Sequence, residues 1–198
     1  MKYESINEYV YNDFFKHYFT PNINTDPWLF KYESPLLDYV ILNMPKYIDT
    51  IIIFGCASGR DFIPFSKEYK CYGFDIESGD KIDWVCDTEN LHYYQCSVQD
   101  FSKNIERFSH IDFSKSLVYT QGTLMYLTSE EQDTFVKTII DTGCKNMVIH
   151  EYPPDWIGYS IHDRFNPSEE ILNLFERKHF RKETHNQPTG FLIIDRNV

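Results

Sequence analysis

The chain has 198 residues, of which 42% are apolar and 17% aromatic; that suits one α/β domain with a full core and is too short for two ordinary domains. Its net charge is −11, with 19 Lys and Arg against 30 Asp and Glu and no basic run to displace counterions from phosphates. Nucleic acid and anionic membranes are therefore disfavoured as partners. The five cysteines, Cys56, Cys71, Cys86, Cys96 and Cys144, are odd in number and form no CxxC pair. They argue against a disulfide framework and a zinc site, and they read as reduced thiols in a cytoplasmic protein. There is no signal-peptide layout and no apolar run of spanning length, so no membrane segment is expected.

Ser5 to Phe19 carries Ile6, Val10, Phe14 and Tyr18 at helical spacing, which predicts an aromatic amphipathic helix. Breaks follow at Thr20-Pro21-Asn22 and Asp26-Pro27. A second helix is predicted from Ser34 to Met44, with Pro35 at its first position. Thr50 to Phe54 is a run of β-branched residues ending in Phe, the pattern of a strand buried on both faces. A turn from Gly55 to Gly59 leads into a helix from Arg60 to Tyr69. Further strands are predicted at Cys71 to Asp75, His92 to Cys96, Ser116 to Thr120 and Asn146 to His150. Helices are predicted from Ser129, as cap, to Thr142 and from Pro167 to Phe175. Two extended runs close the chain, Lys178 to Thr184 and Gly190 to Asp195. Alternating strands and helices imply βαβ crossovers and a mainly parallel sheet, with ligands at the carboxyl ends of its strands.

The turn Gly55-Cys56-Ala57-Ser58-Gly59 is the strongest local signal, because a tight strand-to-helix turn beside a ligand needs permissive, small residues. Alone it reads equally as a plain βα turn. Asp75 ends the next strand about twenty residues later, where an acid accepts hydrogen bonds from ribose hydroxyls. With both in one βαβ unit, nucleoside binding is the better reading. A dinucleotide site would want a glycine where Arg60 stands.

The G-x-A-x-G spacing resembles motif I of the class I S-adenosylmethionine-dependent methyltransferases. The resemblance runs from Ile51 to Tyr152. Tyr72 to Ile76 is similar to motif II, which places Asp75 and Ile76 at the cofactor. Gln95 to Phe101 is similar to the segment flanking adenine, with Ser97 and Val98 as contacts. Leu117 to Leu127 is similar to motif IV, with Thr120, Gln121 and Gly122 beside the methionine part. The sequence departs from the family pattern at Ile53, Ala57 and Ser97. The resemblance implies a three-layer α/β sandwich: a mainly parallel seven-stranded sheet with a C-terminal antiparallel hairpin, the methyltransferase-like Rossmann fold. Residues 1–198 would form a single domain, with 1–45 as an N-terminal helical cap or packing segment. S-adenosylmethionine would be the cofactor and S-adenosylhomocysteine the product.

His150 and Glu151 are expected at the crevice, His150 as a general base and Glu151 to orient it or bind an amine. The plain alternative is a satisfied strand-end histidine beside a solvated acid. Tyr126, Tyr152 and Trp156 are candidates for the acceptor wall, and Tyr11, Phe14 and Tyr18 for a lid. Arg60 is a candidate for the methionine carboxylate or a surface residue. The expected reaction is metal-independent, in-line methyl transfer to a small polar or sugar-like acceptor. Two other readings stay open: an NAD-dependent oxidoreductase on the same kind of sheet, and a non-catalytic binding protein that keeps the fold.

Overall fold

Thr50-Ile51-Ile52-Ile53-Phe54 has no polar face to give to water, and it forms a strand buried throughout, β1 (Thr50–Phe54). A computed structural model describes residues 40, 42–56, 65, 68–76, 90–151, 164–178 and 189–193, all within the unit Pro35–Val198. β1 lies between β2 (Lys70–Asp75) and β4 (Ser116–Gln121), parallel to both. β3 (Leu91–Gln95) flanks β2 and β5 (Asn146–Glu151) flanks β4, also parallel. β7 (Thr189–Ile193) joins β5 antiparallel, and β6 (Glu176–Lys178) joins β7 antiparallel, giving the order β3-β2-β1-β4-β5-β7-β6. The connection between β6 and β7 lies outside the described residues.

Several strand boundaries differ from the sequence expectation by a residue or two. β5 runs on through Glu151 because both ends of the strand are buried. β6 starts at Glu176 rather than Lys178, and residues 179–184 of the expected run lie outside the described residues. The helix expected from Pro167 to Phe175 is one turn, Glu169–Leu172; Ser168 caps it, and the chain returns to the sheet at Glu176. The expected helix of residues 5–19 lies outside the described residues. So does most of the helices at 34–44 and 60–69, of which Val40, Leu42, Asn43 and Phe65 are described and helical.

Two longer helices pack on one face of the sheet. α1 (Val98–Lys103) starts at Ser97, whose hydroxyl accepts the Asp100 N–H at 3.0 Å. α2 (Ser129–Asp141) is capped by Thr128 rather than Ser129. The Thr128 hydroxyl accepts the Glu131 N–H, and the Glu131 carboxylate accepts the Thr128 N–H at 2.8 Å. This reciprocal pair satisfies two amides that the helix itself leaves unpaired. Thr128→Ala is expected to lower stability by about 1 kcal/mol, read by urea denaturation.

The face under α1 and α2 is strongly aromatic. Phe54 stacks on Phe74 at 4.8 Å and meets Phe101 and Phe135 edge-on at 4.7 and 4.8 Å. Phe108, Val118, Phe135, Ile139 and Ile149 complete this core. Among the described residues, much of the aromatic content goes into packing. On the opposite face, Val40, Ile48 and Phe65 cover Ile51, Ile53, Cys71, Leu117, Tyr119 and Val148. Gln132 of α2 is buried and fixes the chain that returns from β5. Its amide donates to Leu124 O (2.9 Å) and Arg164 O (2.9 Å), and its carbonyl accepts the Asn166 N–H (2.8 Å). Among the described residues no helix is long and apolar enough to cross a membrane.

Candidate active site

In a parallel sheet the first pair of strands to diverge opens a crevice, and here β1 and β4 are that pair. The pairings Phe54 with Phe74, Phe54 with Thr120, Asp75 with Gln95, and Gln121 with His150 put the carboxyl ends of five parallel strands at one edge. Gly55, Asp75, Ser97, Gln121 and His150 all reach this edge.

Gly55 follows β1 with φ +68°. Its N–H donates to Phe74 O at 2.8 Å, so the turn is fastened to β2 from its first residue. Cys56 beside it is buried. A Cβ at Gly55 would overlap the Thr123 side chain, so the glycine is required by a second loop as well as by its own backbone angle. Ala57, Ser58 and Gly59 lie outside the described residues.

Asp75 is buried at the end of β2, and its carbonyl accepts the Cys96 N–H at 2.7 Å. Ile76 is 40% exposed, and its carbonyl accepts from the Gln95 side chain at 3.2 Å. An exposed isoleucine directly after a buried acid offers an apolar ledge at the sheet edge. The Ser97 oxygen caps α1, which explains a serine there without any ligand; its hydroxyl proton is left to donate. Val98 begins α1, where the helix does not use its N–H.

The β4 end divides between the two faces. Successive strand residues point to opposite sides. Asp75, Tyr119, Gln121 and His150 share the face of Ile53 and Val148, and the Tyr119 hydroxyl donates to the Gln121 side-chain oxygen at 2.9 Å. Thr120 and Glu151 take the aromatic face. Thr120 is fully buried, and its hydroxyl points to Glu151 at 3.5 Å rather than toward the side of Gln121. Gly122 has φ +59°, its N–H donates to His150 O at 3.1 Å, and no described atom lies within 4 Å of where its Cβ would be. That leaves the backbone open to a ligand on this side. Tyr126 sits half-buried in the 3-10 turn Leu124–Tyr126.

Glu151 requires a correction. The sequence paired it with His150 or with an amine, but the strand continues through both residues and sends them to opposite faces. Glu151 is fully buried, and one carboxyl oxygen accepts the N–H groups of Thr123 (2.7 Å) and Leu124 (2.9 Å). Its other oxygen has no hydrogen-bond partner among the described residues. Burial pushes its pKa up to about 7, against the opposing pull of those amides. His150 is buried on the Asp75 face. Tyr152 and Trp156 lie outside the described residues, as do Arg60, Tyr11, Phe14 and Tyr18.

Thr123 was not a candidate in the sequence. Its hydroxyl lies 3.3 Å from Phe54 O and 3.2 Å from Gln121 O, so it links the loop after β1 to the loop after β4. Nothing local signals this, because the link exists only once β1 and β4 pair. Among the described residues no three His, Cys, Asp or Glu side chains group as metal ligands would.

The fold is that of the class I S-adenosylmethionine-dependent methyltransferases. The 1,6-didemethyltoxoflavin-N1-methyltransferase of Burkholderia thailandensis, solved with 1,6-didemethyltoxoflavin and S-adenosylhomocysteine, is 13% identical with a TM-score of 0.63 over 98% of this chain and 93% of that one. A methyltransferase from Methanosarcina mazei is 17% identical, TM-score 0.52, over 81% and 96%. The magnesium protoporphyrin IX methyltransferase of Synechocystis, with bound S-adenosylmethionine, is 13% identical, TM-score 0.52, over 79% and 74%. No family model matches the sequence, and no curated protein matches it.

Proposed function

We propose that the chain is an S-adenosylmethionine-dependent methyltransferase that acts on a small polar or sugar-like acceptor and releases S-adenosylhomocysteine. The observation that carries this reading is the placement of Gly55, Asp75 and Gly122 around the β1–β4 divergence of this particular strand order. The antiparallel β7 beside β5 also supports it over the dinucleotide alternative, whose sheet continues parallel to a sixth strand. The solved neighbours support the cofactor, since two of those described above hold it or its product.

The bound cofactor would supply a methyl group already activated on a sulfonium. Asp75 would accept the ribose hydroxyls, Ile76 would cover one side of adenine, and the Ser97 hydroxyl and the Val98 N–H would meet its edge. Gly55, Cys56, Ala57, Ser58 and Gly59 would pass under the cofactor, with Gln121 and Gly122 beside its methionine part. His150 remains the residue for accepting an acceptor proton, with Tyr126, Tyr152 and Trp156 as acceptor wall. The acidic charge and small size favour a small acceptor over a nucleic acid.

Calorimetric titration with S-adenosylmethionine and S-adenosylhomocysteine tests the reading. Micromolar binding is expected, and Asp75→Ala should weaken it by roughly tenfold or more, the loss of a charge-assisted hydrogen bond. Absence of binding by the wild type, with a response to NADH instead, would transfer the chain to the oxidoreductase reading.

A further inference from the structure

Two loops flank the crevice, and among the described residues Thr123 joins them. Thr123 reaches back to Phe54 O and Gln121 O through its hydroxyl and lies directly over Gly55. Thr123 itself is held from below. It precedes the 3-10 turn Leu124–Tyr126 without capping that turn by its own side chain. The amides that such a turn leaves unpaired go instead to a carboxyl from another strand, Glu151 of β5, at 2.7 and 2.9 Å.

We infer that Glu151 is the positioning residue of the cofactor site: from the far face of the sheet it fixes Thr123, and through Thr123 it sets the β1 and β4 loops against each other. This rests on the methyltransferase reading, because that reading is what makes both loops cofactor loops. A carboxyl buried at 0% exposure is costly to keep, and burial raises its pKa to about 7. A strand end that needed only packing would take a leucine there. Among the described residues the carboxyl bonds to the Thr123 and Leu124 amides and the Thr120 hydroxyl and to no side chain on the Gln121 face, so its effect on a ligand has to pass through the backbone it holds.

The test uses the full chain with three variants. Glu151→Leu removes both acceptor bonds and is expected to weaken S-adenosylhomocysteine binding by about 10- to 100-fold. Glu151→Gln keeps an acceptor oxygen in place and should recover at least half of that loss on a logarithmic scale. Thr123→Val keeps the amide and the volume but removes the hydroxyl, and should weaken binding by about 3- to 10-fold. Hydrogen exchange gives the direct readout: the Thr123 and Leu124 amides should lose protection in Glu151→Leu and regain it in Glu151→Gln. If Glu151→Leu does not fold, Thr123→Val and the exchange rates of Glu151→Gln decide the matter. Wild-type affinity in folded Glu151→Leu, or in Thr123→Val, overturns the inference alone. A wild type that binds neither S-adenosylmethionine nor S-adenosylhomocysteine overturns the methyltransferase reading, and the cofactor part of the inference with it.

Discussion

Gly55→Ala is expected to cost about 3 kcal/mol of folding stability and to abolish tight binding of S-adenosylhomocysteine. Two terms add. A φ of +68° costs a residue with a Cβ about 1–2 kcal/mol. The new methyl group also overlaps the Thr123 side chain, which is tied to Phe54 O and Gln121 O and has little room to yield. Forced overpacking of this kind costs about 1–3 kcal/mol. The two terms separate in a double-variant cycle. In a Thr123→Gly background the overlap is gone, so Gly55→Ala should cost only about 1–2 kcal/mol there. Urea denaturation measures both costs. An equal cost in the two backgrounds would mean that the loops do not press on each other at this point.

Glu151 is expected to make stability fall as pH rises from about 4.5 to about 7. Its carboxyl titrates near its ordinary 4.5 when the chain is unfolded and at about 7 when burial holds it in the folded protein. Below 4.5 both states keep the proton, and the group adds no slope. Between the two values only the folded state keeps it, so each pH unit favours unfolding by about 1.4 kcal/mol. Above 7 both states are ionised and the slope ends, after a total loss of about 3 kcal/mol. Glu151→Gln cannot titrate. The stability of the wild type minus that of Glu151→Gln should therefore drop across this window, and the other titrating groups cancel in the difference. Urea denaturation of both proteins at pH 5 and pH 8 measures it. A constant difference would mean that the carboxylate is already charged at pH 5, with its amides outweighing the desolvation.

The local rules read some elements directly. Thr50 to Phe54 and Asn146 to His150 are apolar runs too short for helices, and strands lie there. The capping signal at α2 was present twice: Thr128-x-x-Glu131 and Ser129-x-x-Gln132 both fit the capping-box spacing, and Thr128 caps because the Gln132 side chain is buried on Leu124 O, Arg164 O and the Asn166 N–H instead. α1 was not anticipated. A six-residue helix has almost no periodicity of its own, and this one persists through the Ser97 cap and the burial of Val98 and Phe101.

The candidate site was legible only in part, and the division is physical. Gly55, Asp75 and Gly122 announce themselves because a positive φ and an acid closing an apolar strand are local properties of the chain. Thr120, Thr123 and Glu151 carry no such mark. Their roles depend on which face a strand presents and on which strands become neighbours. The sequence by itself determined the alternation of strands and turns, the parallel sheet and the glycine and acid at its edge, since these follow from backbone sterics and apolar periodicity. Only the tertiary structure decided that Glu151 holds the Thr123 and Leu124 amides and that Thr123 bridges β1 to β4. The Thr123–Phe54 and Thr123–Glu151 contacts join residues 69 and 28 positions apart, and no short-range pattern encodes a distance that folding alone closes.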